Sequence, residues 1–142
     1  SYISINLTTA SVNFGSLAVT ESKNTDDDAV QPLILENNGN IMVNIARIGA
    51  NASLWFMQPL NTIYFQFKAD NDTTESKSFN WTGSTTIWTN MTSALIINKS
   101  IIKQLDYKDT NDTAEIDLKV TVPLNEIPGN KRSTVYIVGG LS

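Results

Sequence analysis

Between Ala114 and Val122 the chain reads Ala-Glu-Ile-Asp-Leu-Lys-Val-Thr-Val, and every second residue is apolar. Ala114, Ile116, Leu118, Val120 and Val122 share one face, while Glu115, Asp117, Lys119 and Thr121 share the other. A period of two belongs to a β-strand with one buried and one solvated face. A helix would scatter the same apolar side chains around its circumference. Pro123 closes the run, because proline cannot donate to a central ladder. A two-faced strand needs a second layer over its apolar side, and the rest of the chain supplies more strands.

Tyr2–Thr8 alternates Ile3, Ile5 and Leu7 against Ser4, Asn6 and Thr8, which predicts a strand. Ser11–Val19 predicts another, with Gly15 marking a bulge or a close backbone approach. Val30–Glu36 and Ile41–Ile48 flank Asn37-Asn38-Gly39-Asn40; Asn and Gly tolerate positive φ, so this is the strongest hairpin signal in the chain. Ile63, Phe65 and Phe67 alternate with Tyr64, Gln66 and Lys68, and a polar turn follows over Asp70–Ser76. Two short strands are expected at Lys77–Trp81 and Thr85–Thr89, around Gly83. From Ser93 to Leu105 the fourfold spacing of Ile97, Ile101 and Leu105 is helical, while the β-branched content favours strand; one helical turn is allowed there. After a turn at Pro128-Gly129-Asn130, Ser133–Val138 is apolar on both faces and reads as a central or covered strand, with Gly139-Gly140 as a flexible end. About nine short strands separated by turns predict one antiparallel β-sandwich domain over residues 1–142, jelly-roll or immunoglobulin-like.

Two segments admit competing readings. Leu54-Trp55-Phe56-Met57 is either a plug closing one end of the sandwich or an exposed patch for a sugar or a partner. Asp26-Asp27-Asp28 lies in the polar loop Thr20–Ala29. Calcium loops draw alternate ligands from a turn containing glycine, whereas these carboxylates are adjacent and the loop has no glycine. The run therefore reads as a solvated loop, and no metal ligand is assigned.

Absences limit the chemistry further. The chain has no cysteine and no histidine, which removes disulfides, thiolate nucleophiles, the commonest zinc ligand and the commonest general base. An enzyme would have to work from Asp, Glu, Lys and Ser, and these carboxylates fall in turns and on wet strand faces, so no catalytic residue and no cofactor are assigned. A net charge of −4 with both signs interspersed offers nothing to nucleic acid, and no run of about 18 apolar residues spans a membrane. Charged residues make up only 17% of the chain, their place being taken by Asn, Ser and Thr, an extracellular style of surface. The start at Ser1, directly in a strand pattern, suits a mature chain whose signal peptide has been removed.

Asn-X-Ser/Thr triplets begin at Asn6, Asn51, Asn71, Asn80, Asn90, Asn98 and Asn111. Composition alone would give about three, so acceptors are enriched roughly twofold. They are candidate sites of N-linked glycan on a cell-surface protein, with Asn71 and Asn111 in the most turn-like contexts and Asn6 inside a strand. An Asn/Thr-rich surface producing them by chance is the alternative.

Val12-Asn13-Phe14-Gly15-Ser16-Leu17, Asn37-Asn38-Gly39-Asn40-Ile41-Met42-Val43-Asn44 and the segment from Val122-Pro123 through Pro128-Gly129 to Ser133-Thr134-Val135 resemble small secreted archaeal β-sandwich surface proteins. More loosely, the chain is similar to archaeal thread and bundling-pilus subunits. That resemblance implies a glycosylated homopolymer joined by donor-strand complementation. Residues 1–9 would be the donor strand, with Ile3, Ile5 and Leu7 filling a groove in the next subunit. The long apolar helix of type IV pilins is not in the sequence. The competing function is a monomeric secreted binding or adhesion module, using Trp55, Trp81 or Trp88, or a surface-layer component.

Overall fold

A computed structural model describes residues 1–93 and 100–142. Among these it contains nine strands and no helix: β1 (Ile5–Thr9), β2 (Ser22–Asn24), β3 (Leu33–Asn37), β4 (Val43–Ala50), β5 (Phe65–Asn71), β6 (Thr89–Asn90), β7 (Ile102–Leu105), β8 (Thr113–Thr121) and β9 (Val135–Leu141). They form two antiparallel sheets packed as a β-sandwich. The larger runs β1-β3-β8-β5-β6, with β2 also paired to β8; the smaller runs β7-β4-β9. The chain changes sheet at β3–β4, β4–β5, β6–β7, β7–β8 and β8–β9.

The Ala114–Val122 alternation lies at the centre of this arrangement. β8 pairs β5 along one side, from Phe65↔Val120 to Asn71↔Ala114, and β3 and then β2 along the other. Its apolar face meets Leu35, Ile45, Ile48, Phe67, Met91, Ile101 and Leu105 in one fully buried core drawn from both sheets. The expected wet face departs from expectation at Asp117, which has no exposed surface. The cause is the segment after β2. Thr25 takes the ladder position beside Leu118, its N–H donating to the Leu118 carbonyl (3.0 Å) and its hydroxyl accepting from the Leu118 N–H (3.0 Å). This lays residues 24–28 across the outer face of the sheet.

The Asn-Asn-Gly-Asn segment is not a hairpin turn. β3 and β4 belong to different sheets, and the segment is the corner between them. Asn37 is completely buried, and its amide forms the clasp. Nδ2 donates to the carbonyls of Ile41 (2.9 Å) and Leu105 (3.0 Å), and Oδ1 accepts from the Gly39 N–H (3.1 Å). A short polar side chain that satisfies backbone groups locally serves a corner as well as a hairpin, so the sequence signal was real and its geometry different.

Other strand expectations change for similar reasons. Ser11–Val19 forms no ladder; Val12, Phe14 and Leu17 still pack on the core from an irregular segment in which Gly15 has φ +72°. Lys77–Trp81 and Thr85–Thr89 are not strands, apart from a single bridge at Asn80 and the two-residue β6 starting at Thr89. β5 begins at Phe65, leaving Ile63 exposed, and continues through Asn71, so Asn71 ends a strand. The final strand is an edge, not a covered strand. Val135 and Ile137 pack on the core, Tyr136, Val138 and Leu141 are exposed, and Gly139-Gly140 pair with Ile45 and Asn44 inside β9. Leu54-Trp55-Phe56-Met57 divides: Trp55 is buried, with Nε1 donating to the Tyr64 carbonyl (2.9 Å), whereas Phe56 and Met57 are exposed. The helical turn allowed in Ser93–Leu105 falls largely on 94–99, outside the described residues; Ile102–Leu105 is strand.

Candidate functional site

Three features are candidates for chemistry or assembly: the N-terminal strand, the sequon asparagines and an acidic cluster that no linear motif marks.

Among the described residues β1 is an edge strand paired only to β3, through Ile5↔Asn37, Asn6↔Glu36 and Leu7↔Leu35, with a register shift before Thr9↔Ile34. Ile5 and Leu7 are half-buried against the core, while Ile3 is exposed. Ile5 also reaches the other sheet, because a Cβ built on Gly139 of β9 would lie 3.2 Å from its Cγ1. β1 therefore closes the flank between the sheets, in its own chain. Before β1, the chain rests on the corner. The Asn38 N–H donates to the Ser4 carbonyl (3.0 Å), and a Cβ at Gly39 would fall 2.6 Å from the Tyr2 carbonyl oxygen.

None of the six described sequon asparagines is buried. Asn6, Asn51 and Asn80 are exposed, and Asn71, Asn90 and Asn111 are half-buried. Several hold local structure through Oδ1: Asn51 accepts from Thr134 N–H (2.9 Å), Asn80 from Gly83 N–H (3.0 Å) and Asn90 from Gln66 Nε2 (3.0 Å). Asn6 points outward from β1. Asn98 lies outside the described residues.

The three tryptophans are separated in role. Trp55 is core. Trp81 is exposed and stacked on Phe79, with centroids 6.1 Å apart and planes at 27°. Trp88 lies on the outer face of the larger sheet with Lys68 Nζ 4.8 Å and Lys119 Nζ 5.8 Å from its ring centroid.

Beside Trp88 the fold assembles the acidic cluster. Asp117 on β8, Asp70 on β5 and Asp26 from the covering loop each place a carboxylate oxygen within 4.8 Å of the others. Asp70 faces Glu115 across the ladder, and Lys68 faces Asp117. Lys68 ion-pairs with Asp26. Asp117 Oδ1 accepts from the Thr25 hydroxyl (2.7 Å), while its Oδ2 is buried without a partner among the described residues. Burial, and then the neighbouring Asp70, push the Asp117 carboxyl well above the usual carboxylate range, against the pull of the Thr25 hydrogen bond. Burial, reinforced by Asp70, Asp72 and Asp26, pushes Glu115 up to about 7. A cleft of about 670 Å³ opens alongside, and Asp26, Asp28, Asp70, Asp72 and Glu115 are among its walls. Of the Asp26–Asp28 run only Asp26 joins the cluster; its partners come from strands far along the chain, which is why loop spacing did not reveal them.

No family model matches this chain, and neither a curated protein nor a solved structure matches it. Among the described residues no helix is long and apolar enough to cross a membrane.

Proposed function

We propose that this chain is a structural subunit of an extracellular, N-glycosylated, pilus-like filament, in which residues 1–9 of one copy pair with β3 of the next. The observation that carries this reading is the attachment of β1. Among the described residues it is an edge strand with β3 as its one ladder partner, it fills the flank between the sheets with Ile5 and Leu7, and an irregular stretch, 10–19, leads from it towards β2. Such a strand can leave its own chain and make the same bonds in a neighbour. Donor and acceptor surfaces differ, so the contact propagates without closing. Solvent access at the six described sequon asparagines is compatible with the glycan coat.

Deletion of Ser1–Thr8 tests the joint. Loss of polymer in negative-stain images, with added Tyr2–Thr8 peptide binding the truncated chain, is the expected result; filaments of normal length from the truncated chain would refute it. Intact mass of protein from its native source tests the coat, the bare chain being 15.6 kDa.

A second reading, a monomeric binding or adhesion module, draws on the exposed apolar tip. Glu126 accepts from the N–H groups of Phe56 and Met57 (both 2.9 Å), which brings exposed Phe56 and Met57 beside the loop carrying exposed Leu124 and Ile127. Phe56→Ser that abolishes attachment to a target surface while leaving particles monomeric would favour this reading.

A further inference from the structure

The acidic cluster is difficult to explain as packing. Like charges face each other across the β5–β8 ladder at Asp70 and Glu115, an arrangement that destabilises a sheet when nothing lies between them. Four carboxylates, Asp26, Asp70, Glu115 and Asp117, meet one ammonium, Lys68. That ammonium is committed to Asp26 and does not satisfy Asp117 Oδ2. Asp117 has no exposed surface, so water from bulk does not solvate it; its Oδ2 has no donor among the described residues, and its carboxyl lies so close to that of Asp70 that a proton or a cation must sit between them. A buried carboxylate is paired, coordinated to a metal or held protonated, and in the last case a cation of sufficient charge can take the proton's place.

We propose that Asp26, Asp70 and Asp117 bind a calcium ion that fastens the loop 24–28 to the outer face of the larger sheet. The donor set is all oxygen and anionic, which selects a hard cation over zinc or copper. Two oxygens on one calcium ion, each at about 2.3–2.6 Å, can be up to about 5 Å apart, and the three carboxylates lie within 4.8 Å of one another. Magnesium, at about 2.0–2.1 Å with strict octahedral geometry, requires a tighter set. Glu115 lies at the edge of the cluster, completing its charge, and the acidic cleft gives the ion a route in. Lys68 has a second place to rest: its ammonium already lies over the Trp88 ring, so calcium can displace it from Asp26 without stranding it. The expectation of a solvated loop considered a site built from one stretch of chain; here one loop residue is joined by two strand residues.

The test uses the intact chain. Calcium is titrated after chelator treatment, following melting temperature, and terbium is titrated as a luminescent stand-in sensitised by Trp88. The expected result is a saturable response with a Kd of about 10⁻⁴–10⁻³ M, reversed by chelator and not reproduced by sodium chloride at equal ionic strength. Asp117→Asn should melt at or above the wild type in chelator, because it removes a carboxyl whose ionisation burial and Asp70 oppose, and should lose the calcium response; Asp70→Asn should lose it too. Lys68→Met, which removes the competing ammonium, should bind several-fold more tightly. Asp27→Asn, outside the cluster, should respond like the wild type. Absence of a saturable shift up to about 10 mM calcium, or a full response retained by both Asp117→Asn and Asp70→Asn, overturns the proposal. Should Asp117→Asn fail to fold, Asp70→Asn and Asp26→Asn decide the question. None of these outcomes depends on the assembly reading.

Discussion

Replacing Asn37 by alanine removes the clasp between the sheets. The side chain makes three hydrogen bonds, two as donor and one as acceptor, at a site with no exposed surface. Each net hydrogen bond contributes about 1 kcal/mol, and a buried carbonyl left without its donor loses about 1–3 kcal/mol of solvation. Truncation also leaves a small void. A loss of about 3 kcal/mol follows, equivalent to roughly 6–12 °C in melting temperature for a chain of this size. Asn37→Asp should be worse near neutral pH. It puts an oxygen where Nδ2 faced the Ile41 and Leu105 carbonyls, and it buries a charge with no countercharge. Urea melts at neutral pH, with the slope checked for constancy, measure both losses. A loss below about 1 kcal/mol for Asn37→Ala, or an aspartate variant as stable as the alanine variant, would refute the clasp.

Gly39→Ala should free the N-terminal segment while the core stays folded, because the new Cβ would stand 2.6 Å from the Tyr2 carbonyl oxygen and 3.0 Å from the Ser4 nitrogen; faster amide exchange confined to β1 and its flanks checks this. Burial raises the Glu126 pKa, but the Lys131 pair and the Phe56 and Met57 N–H groups outweigh it, leaving the folded value below the ordinary 4.5. Its stabilisation is therefore present above the unfolded value and is lost as pH falls through the depressed folded one. Glu126→Gln should cost roughly 1 kcal/mol at neutral pH, and melts at pH below about 4 should show the gap to wild type closing. Leu118→Asp, on the apolar face of β8, should prevent folding, since an unpaired carboxylate there cannot be solvated; a soluble variant with an unchanged melting temperature would contradict the assigned face.

What could be read from the chain follows how local each determinant is. β8 was legible because one buried face imposes its period regardless of what covers it. Its neighbours were not, since periodicity carries no pairing partner. The same limit hid Asp117: alternation assigned it to solvent, and only the crossing of Thr25 over the ladder buries it. β9 failed in the opposite direction. Its two apolar faces suggested cover, yet Tyr136 and Val138 line the exposed outer face of an edge strand and Leu141 is exposed at its end. The Asn37 corner shows that turn chemistry specifies a local change of direction but not whether the next strand stays in the same sheet. The acidic cluster was the least legible feature, because its members are contributed by a loop and two strands whose register exists only in the fold.

The edge position of β1 also bears on how a filament of the proposed kind would be controlled. A chain that inserts its own strand makes the same ladder bonds and the same Ile5 and Leu7 contacts as one that receives a neighbour's, so these contacts cannot decide between monomer and polymer. The tether favours self-insertion, since a linker of this length holds the strand at an effective concentration on the order of millimolar. Polymer must therefore be favoured by something that differs between the two states, and the segment between β1 and β2 is where they differ. It contains Gly15 at φ +72° and Thr20 at φ +69°. A β-branched residue in the left-handed region is strained, by about 1–2 kcal/mol. However, Thr20 is anchored to the end of β8, its N–H donating to the Val122 carbonyl (2.9 Å), so the backbone that must re-route on exchange is the unpaired stretch before it, around Gly15. In the donor-strand reading, the irregular backbone between Thr9 and Ser22 is thus a determinant of assembly in its own right, separate from the apolar side chains of β1 that make the joint.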